Sequence, residues 1–415
     1  MKFLISLAFK NLTRYKRRTL ITAGAIAFGL MMYIFVDSLL LGIEIESVRN
    51  LKWFETASAR ILNDDYWENR FQRPLDINIP NPDKIINKLE DNGITATKRI
   101  EFSGDLILNS ADFGEDGNMS VVVTAIDPKR DFDVFEFGTT LQKGRFLEKN
   151  EDAAIIGSWF AEDIGAELGY WITIVTRGNG GFYEAMDLEI VGIVNCPNPN
   201  VNRTLIMMPI DVADEYLAME GASTEISIKL PESADVEEEV IHIQNLLNGD
   251  GLTVMSWKSM AADYLAIAEA KRGGTGMILF LIFLIAAVGI SNTMLMAIFE
   301  RIRELGMMRS LGMSDKKIRI AFMLEAAGIG LIGSIMGVFL GIIVNFFVVK
   351  YGINYGDMYR DMDIGYRVQA IIRGAWNFKT MGIAFFAGIF MSTLVAFFPT
   401  KRALKMDIPS CLRHQ

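Results

Sequence analysis

The chain has few of the residues from which catalytic and metal sites are built. Its 415 residues include two cysteines and two histidines, with no CxxC pair and no histidine cluster. Zinc sites and Ser-His-Asp catalysis need more of these side chains at closer spacing. The chain also lacks the G-x-x-x-x-G-K-[ST] loop that cradles nucleotide phosphates. We therefore expect no enzyme active site, metal or cofactor in this chain, and any ATP-driven work would draw its energy from another protein.

The composition indicates a mixed architecture of membrane spans and a folded polar domain. Hydrophobic residues make up 51% of the chain, the mean hydropathy is +0.26, and 22% of residues are charged. Residues 44–272 contain no apolar run long enough to cross a bilayer, and they hold 20 Lys/Arg against 41 Asp/Glu. Within them, strand-like runs such as 121–126, 153–157 and 203–210 alternate with helix-like ones. This pattern predicts a large α+β domain outside the membrane.

Four apolar runs are long enough to be transmembrane helices. We place them at residues 18–43, 273–299, 320–349 and 380–398. The first follows a basic leader, residues 1–17, and shows no signal-peptide cleavage pattern, so we expect it to be retained. The predicted fold class is thus a four-helix integral membrane protein with its α+β domain inserted between the first and second helices.

The distribution of Lys and Arg predicts the orientation. Residues 1–18 hold six of them, the loop 300–319 holds six and the tail 399–415 holds four. Four spans place all three segments on one side, which the positive-inside rule makes cytoplasmic. The α+β domain and the loop 350–379 then lie on the outer side, although this loop carries five basic residues of its own. We expect that loop to be partly helical at the membrane surface.

Residues 300–312, ERIRELGMMRSLG, have the pattern of a short amphipathic helix between two spans. Apolar side chains recur every three or four residues, with charged side chains around them. A charged helix between two spans cannot enter lipid, so we expect it at the membrane surface, within reach of a soluble partner.

Small residues in the spans predict close helix contacts. Gly333, Gly337 and Gly341 are spaced four apart, so they share one face of the third span. Ala25 and Gly29 form a weaker pair of the same kind in the first span.

Several further side chains have two possible interpretations. Asp37 and Glu325 lie near span ends, and we expect both to reach water rather than act inside the membrane. Trp53, Phe54 and Trp67 follow the first span. They are either the entrance for an amphiphilic substrate or ordinary anchors at the membrane interface.

Four segments of the chain resemble ABC-transporter permeases of the MacB/FtsX/LolC–LolE type. The leader AFKNLTRYKRRTLITAGAIAFG is similar to that family's basic approach to its first span. Residues 300–318 resemble its "ER-x-x-E-I-G-x-x-R-A-L-G-A" loop, and residues 141–174 with 189–194 resemble its periplasmic core. The tail PTKRALKMDIPSCLR resembles the family's "P-x-x-x-A-x-x-x-x-P-x-x-x-L-R" ending.

The resemblance implies a bacterial inner-membrane permease that has no catalytic site of its own. Its partners would be a cytoplasmic ABC ATPase dimer, which supplies ATP and Mg²⁺, and a second permease, identical or paralogous. A periplasmic chaperone or adaptor is a further possible partner, and no nucleic acid is expected. The implied ATPase-coupling residues are Glu300, Arg301, Arg303, Glu304, Leu305, Gly306, Met308, Arg309, Leu311 and Gly312.

Such permeases work by mechanotransmission: ATP-driven closure of the ATPase moves the coupling helix, and long helices carry the motion to the outer domain. The leading hypothesis is extraction of lipoproteins from the inner membrane. The alternatives are MacB-like efflux of peptides, antibiotics or lipids, and signalling to a periplasmic hydrolase. MacB carries its ATPase ahead of its first span, whereas here 17 residues precede that span, so we expect a separate ATPase chain.

Overall fold

The computed structural model describes residues 2–14, 16–108, 117–247, 251–354 and 371–405. These residues fall into two compact units. A helical unit comprises residues 2–14, 16–44, 267–354 and 371–405, and an α+β unit comprises residues 45–108, 117–247 and 251–266.

Long apolar helices form the helical unit, because a segment in lipid must satisfy all its backbone hydrogen bonds internally. Four described helices are long and apolar enough to cross a membrane. They are α2 (Lys16–Leu51), α11 (Ala262–Glu300), α13 (Asp315–Tyr351) and α14 (Phe378–Ala403). Two shorter helices belong to the same unit: α1 (Lys2–Arg14) before α2, and α12 (Ile302–Ser310) between α11 and α13.

The first two long helices extend well beyond the apolar runs that predicted them. α2 continues to Leu51, past the predicted end at 43, and α11 begins at Ala262 rather than 273. Hydropathy marks the part of a helix that tolerates lipid. Hydropathy does not detect helical turns rich in Glu, Lys and Arg, although these residues are good helix formers.

Ten strands form one mixed sheet in the described part of the α+β unit. They are β1 (Ala59–Asn63), β2 (Thr95–Leu108), β3 (Gly117–Ile126), β4 (Leu141–Gly144), β5 (Ala153–Gly157), β6 (Trp171–Arg177), β7 (Tyr183–Val194), β8 (Ile206–Pro209), β9 (Glu225–Lys229) and β10 (Leu252–Ser256). Eight short helices lie between or beside them: α3 (Tyr66–Asn69), α4 (Pro82–Glu90), α5 (Asp131–Val134), α6 (Ser158–Ile164), α7 (Pro199–Thr204), α8 (Ile210–Leu217), α9 (Val236–Leu247) and α10 (Trp257–Met260).

Six of these strands close into a ring around a hydrophobic core. The pairing runs β2–β3–β8–β5–β7–β6 and returns to β2, where Gly104 lies opposite Thr176. Phe102, Ile174 and Leu188 are at most 1% exposed in its interior. Closure removes the open sheet edges that would otherwise pair with other chains.

The other end of the sheet follows the order β10–β1–β9–β2 and is covered by α4 and α9. Ile61 and Ile228 from the sheet pack there with Ile86 of α4 and Ile243 of α9, all fully buried. β2 is long enough, at 14 residues, to take part in both halves of the domain.

The predicted architecture, four membrane helices with an α+β domain between the first and second, is confirmed. Strands match the predicted runs at 121–126 and 153–157, whereas 203–210 begins within α7 and only its second part is a strand. Of the loop 350–379, the described flanks form a small antiparallel pair, β11 (Ile353–Asn354) and β12 (Ile371–Ile372). The helical structure predicted for this loop concerns residues that lie largely outside the described ranges.

Candidate coupling site

The short helix α12 lies within the stretch 300–312 for which the sequence predicts a helix. Arg301 breaks the preceding helix, because its φ of −114° and ψ of 20° depart from helical values. Gly312 follows α12 with a φ of +85°, a conformation that glycine adopts without steric penalty. The two breaks make α12 an element distinct from the long helices on either side.

One face of α12 is buried in the helical unit. Ile302 and Leu305 are 5% and 1% exposed, and Gly306 is buried beside them. They pack in a cluster with residues from the ends of all three neighbouring long helices: Ile298, Ile318, Phe322, Ala403 and Leu404. Burial of each large aliphatic side chain contributes about 1.5–3 kcal/mol, so this contact holds α12 against the long helices.

The opposite side of this segment is exposed and chemically mixed. Leu311 is 87% exposed and Met307 is 48% exposed, and the charged residues Glu300 and Arg303 earlier in the segment are exposed as well. Glu304, on the flank, lies 3.4 Å from Arg14 of α1 in an exposed ion pair. Apolar side chains among charges of both signs form a surface that a protein partner can bind.

A buried ion pair anchors the start of α12. The Nη1 of Arg301 lies 3.3 Å from Oε2 of Glu325 in α13, and the two residues are 4% and 1% exposed. The Nδ2 of Asn11, in α1, donates to the same carboxylate at 3.1 Å. The Glu325 carboxylate therefore joins three elements, α1, α13 and the break before α12.

The expectation that Glu325 reaches water was wrong. The helix that carries it begins at Asp315, so Glu325 lies about three turns inside it rather than at its end. Asn11 and Arg301 cover the carboxylate from two other elements. Asp37, the other acidic residue in a span, is half-buried and accepts a hydrogen bond from Nδ2 of Asn377 at 2.9 Å.

The three spaced glycines bring α13 into close contact with α2. A Cβ built on Gly333 would lie 2.9 Å from the carbonyl oxygen of Ala23. One on Gly337 would lie 2.9 Å from Cβ of Leu30, and one on Gly341 would lie 3.0 Å from the nearest side-chain atom. Residue numbers at these contacts increase in the same direction in α13 and in α2, so the two helices run parallel. Larger residues here would force the two backbones apart.

The weaker pair predicted in the first span does not form one contact face. Ala25 is exposed, whereas a Cβ on Gly29 would lie 2.9 Å from Cγ2 of Ile282 in α11. The alanines that face the glycines of α13 are Ala23 and Ala27, which are 0% and 1% exposed.

Within the α+β unit, the first long helix passes into the sheet through an irregular joint. A single π-helical turn, Lys52–Thr56, follows α2, and Ala57 then takes a φ of 56° and a ψ of −162°, a region otherwise left to glycine. The chain continues as β1, which pairs antiparallel with β10, with Ala59 opposite Ser256. Because β10 leads through α10 to α11, adjacent strands connect to the two helices that bracket the domain.

Several contacts fix this joint to the domain. The ring of Phe54, 5% exposed, meets that of Phe137 edge-on with centroids 5.2 Å apart. Asn50 donates from Nδ2 to the carbonyl oxygen of Pro197 at 2.9 Å. A small apolar cluster packs the end of α2 against α10 and the start of α11: Leu51, Trp257, Ala261 and Tyr264. The last turn of α2, which belongs to the α+β unit, is therefore packed into that unit.

Buried charges in the α+β unit are paired with each other. Arg99 holds Asp131 through two hydrogen bonds of 2.7 and 2.8 Å. Arg60 lies 2.7 Å from Glu225, yet burial raises the pKa of the Glu225 carboxyl above its ordinary value. Among the described residues, no group of three or more His, Cys, Asp or Glu side chains is placed to hold a metal ion.

Two family models together match most of the chain. The MacB-like periplasmic core domain matches residues 19–245, more than half of the chain. The FtsX-like permease C-terminal domain matches residues 276–408, which include α12 and α13. This chain is an ABC transporter permease of the FtsX/MacB family.

Relatives of this permease include proteins with different stated activities. It is 26% identical over 225 residues to the lipoprotein-releasing system transmembrane protein LolC of Neisseria meningitidis, covering 52% of this chain and 54% of that one. It is 24% identical over 346 residues to an uncharacterised ABC transporter permease of Methanocaldococcus jannaschii, with coverages of 81% and 82%. It is 22% identical over 421 residues to the macrolide export ATP-binding/permease protein MacB of Escherichia coli, with coverages of 97% and 59%.

The chain thus spans about half the length of LolC and about three fifths of MacB. Among solved structures, the periplasmic region of MacB from Actinobacillus actinomycetemcomitans aligns with a TM-score of 0.38 and 14% identity, over 53% of this chain and 97% of that one.

In this permease, three of the predicted ATPase-coupling residues lie inside the helical unit. Arg301, Leu305 and Gly306 are buried, and any part they have in coupling stays a prediction. Arg309 is half-buried and lies 3.1 Å from Asp315. Hydrophobic spacing marks an amphipathic helix, but it does not say which side faces the protein's own helices.

The exposed members of the predicted set are Glu300, Arg303, Leu311 and Gly312, with Glu304 and Met308 half-buried. Met307, which the predicted set does not include, is exposed as well, and its spacing of four from Arg303 and from Leu311 places it on the same side.

The aromatic side chains proposed for a substrate entrance differ in their exposure. Phe54 is a core residue, so its assignment to an entrance was wrong. Trp53 and Trp67 are half-buried, with the guanidinium groups of Arg49 and Arg70 stacked 4.7 and 4.3 Å from their ring centroids. Whether either of them touches a substrate stays a prediction.

Proposed function

We propose that this permease works by mechanotransmission, driven by a separate cytoplasmic ABC ATPase dimer that binds at α12. The exposed side, formed by Glu300, Arg303, Met307 and Leu311, is the proposed contact surface. The permease would pair with a second copy or a paralogue, and each would be driven by the same ATPase dimer. The basic leader, the α12 loop and the basic tail support a cytoplasmic location for both termini.

The observation that carries this proposal is the anchoring of α12 to the long helices. The helix is fixed on one side by the apolar cluster and at its start by the Arg301–Glu325 pair. A push on its exposed side therefore moves α13 rather than bending a loop. The close contacts of the three glycines of α13 with α2 would then transmit the movement of α13 to α2.

The proposed action is extraction of lipoproteins from the inner membrane for delivery to the outer membrane. Two features support this: the relationship to LolC, a protein of a lipoprotein-releasing system, and an α+β domain attached to α2 and α11 through neighbouring strands. Such a domain can change position outside the membrane without a pore through the spans.

Variants in α12 test the coupling role. Gly306→Pro places a proline at a buried position inside α12 and destabilises that helix by about 3 kcal/mol. Glu304→Lys reverses a charge on the flank of the contact surface. We expect both variants to insert normally and to lose substrate release, with ATP hydrolysis by the partner no longer linked to it. Lys316→Glu, an exposed substitution in the first turn of α13 and outside the contact surface, is the matched control. Normal ATPase binding and transport in both test variants would refute the assignment.

Affinity capture tests the wider assembly. The tagged permease is purified in mild detergent and its companions are identified by mass spectrometry. An ATPase, a second permease and acylated lipoproteins together would support lipoprotein release. Recovery of an ATPase with a periplasmic adaptor, and without any lipoprotein, would contradict it.

The second candidate is MacB-like efflux of peptides, antibiotics or lipids from the periplasm. The alignment with MacB favours it, because that match extends over 97% of this chain while the match to LolC covers 52%. Deletion of the gene separates the two candidates. Efflux predicts greater sensitivity to exported compounds with normal lipoprotein sorting, and release predicts mislocalised lipoproteins.

A further inference from the structure

A groove of about 540 Å³ lies in the helical unit between α1, the start of α2 and α13. It forms where α1 crosses α13 closely, since a Cβ built on Gly328 would overlap Cδ1 of Leu12. Its walls are aliphatic: Ala8, Leu12, Leu20, Leu324, Leu331 and Ile335 are among them. Leu20, Leu331 and Ile335 are 56%, 42% and 54% exposed, so the groove opens to the surroundings of the helices.

The polar side chains that line the groove are Thr13, Lys16 and Thr19. Lys16 is exposed, and among the described residues no carboxylate lies within ion-pair distance of its ammonium group. Lys10 and Arg17, near it in the sequence, are exposed as well, and residues 1–36 contain no Asp or Glu. Two carboxylates from other elements contact α1, Glu304 and Glu325, and both are paired with arginines, Arg14 and Arg301. The groove is thus an aliphatic slot with a positively charged lip.

We propose that this groove binds one acyl chain of an anionic phospholipid, with the lipid phosphate at Lys16. An aliphatic slot that opens beside membrane helices will hold hydrocarbon rather than water. A basic residue at the end of a span lies at the depth of the headgroups, where anionic lipids are attracted to it. The assignment to the cytoplasmic leaflet rests on the proposed orientation, whereas the choice of an anionic lipid rests on the charge alone.

The bound lipid would also stabilise the coupling site. Leu12 and Asn11 are adjacent in α1, one lining the groove and the other donating to the Glu325 carboxylate. An acyl chain that fills the space between α1 and α13 would hold Asn11 in place. Anionic lipid would therefore strengthen the link between α12 and α13.

Native mass spectrometry of the purified full-length permease tests the site. The protein is exchanged into equal amounts of phosphatidylglycerol and phosphatidylcholine with the same acyl chains, and retained lipid is counted. Lys16→Gln should reduce the preference for phosphatidylglycerol about fivefold, the effect of one basic residue at a membrane surface. Leu331→Trp, which fills the groove, should remove one tightly retained lipid of either kind.

Two variants serve as controls. Lys317→Gln removes an exposed positive charge elsewhere, and Leu340→Trp enlarges an exposed residue farther along α13; both should retain lipid as the wild type does. Equal retention of the two lipids by the wild type would overturn the proposal, as would unchanged retention in Leu331→Trp. A cross-link across the groove to a second copy would also overturn it. The measurement needs no ATPase or transport substrate, so its outcome is independent of the proposed function.

Discussion

Removal of the Glu325 carboxylate is the sharpest test of how α12 is held. In Glu325→Ala, the Arg301 guanidinium stays in a site where it is 4% exposed and loses the carboxylate 3.3 Å away. Asn11 loses its acceptor at the same time. In Glu325→Gln the shape and one acceptor oxygen remain, and only the charge is lost.

The expected cost follows from the burial of the pair. Breaking a buried ion pair from one side costs about 3–5 kcal/mol, because the remaining charge is left in a poorly solvated site. Replacing both partners with apolar residues of similar size is often neutral or stabilising. We therefore expect Glu325→Ala to destabilise strongly, Glu325→Gln somewhat less, and the double variant Arg301→Met, Glu325→Leu to recover much of the loss.

The assay has two readouts from the same preparation. Thermal unfolding in detergent at a fixed scan rate gives the order of stabilities, and ATP hydrolysis by the added partner ATPase reports whether α12 is correctly positioned. Glu304→Ala is the matched control for the unfolding measurement alone, because it breaks the exposed pair with Arg14, and exposed pairs contribute about 0–1 kcal/mol. It is not a control for ATP hydrolysis, since Glu304 lies on the flank of the proposed contact surface.

Unfolding of Glu325→Ala at the same temperature as Glu304→Ala would contradict a strong buried pair. A double variant no more stable than Glu325→Ala would contradict it as well, since the cost would then not come from an uncompensated charge. A stable double variant that no longer couples to the ATPase would show that the charges act in transmission beyond their role in stability.

Two other predictions concern packing and reactivity. Gly337→Leu should destabilise the protein by about 1–3 kcal/mol, the usual cost of overpacking, because its side chain would meet α2; Gly382→Leu, in α14 with no heavy atom within 4 Å of its Cβ position, should be close to neutral in the same unfolding assay. Burial raises the pKa of the Cys196 thiol to about 12, so in a Cys411→Ser background it should resist alkylation at pH 8 and react once denaturant is added. Rapid labelling of the folded protein would contradict this, with the denatured sample as the control.

Features that depend on the composition of a single segment were predictable from the sequence. The four spans follow from apolar runs that only a helix can carry through lipid. The ring strands β5 and β6 follow from continuous or alternating apolar residues, and the turn between β6 and β7 from the sequence RGNGG at 177–181. These signals are local, so the sequence shows them without knowledge of what packs against them.

Strands with weaker local signals were not predicted. β1 and β10, the pair that joins the domain to its two helices, are five residues each, and their partners lie almost 200 residues apart in the chain. Short strands of this kind are stabilised by pairing rather than by their own residues. The joint at Ala57 is also invisible locally, because nothing in the residue type marks its positive φ.

The sequence was sufficient for the class of protein, the position of α12 and the glycine spacing in α13, because each can be recognised from residues close together in the chain: apolar runs and family motifs, amphipathic spacing, and small residues four apart. The tertiary structure alone decided which residues of α12 are exposed, that Arg301 and Glu325 form a buried pair, and that the glycines contact α2. Each of these depends on which side of a helix meets another element. A charge reaches water or stays buried according to the neighbours that cover it, and those neighbours come from distant parts of the chain.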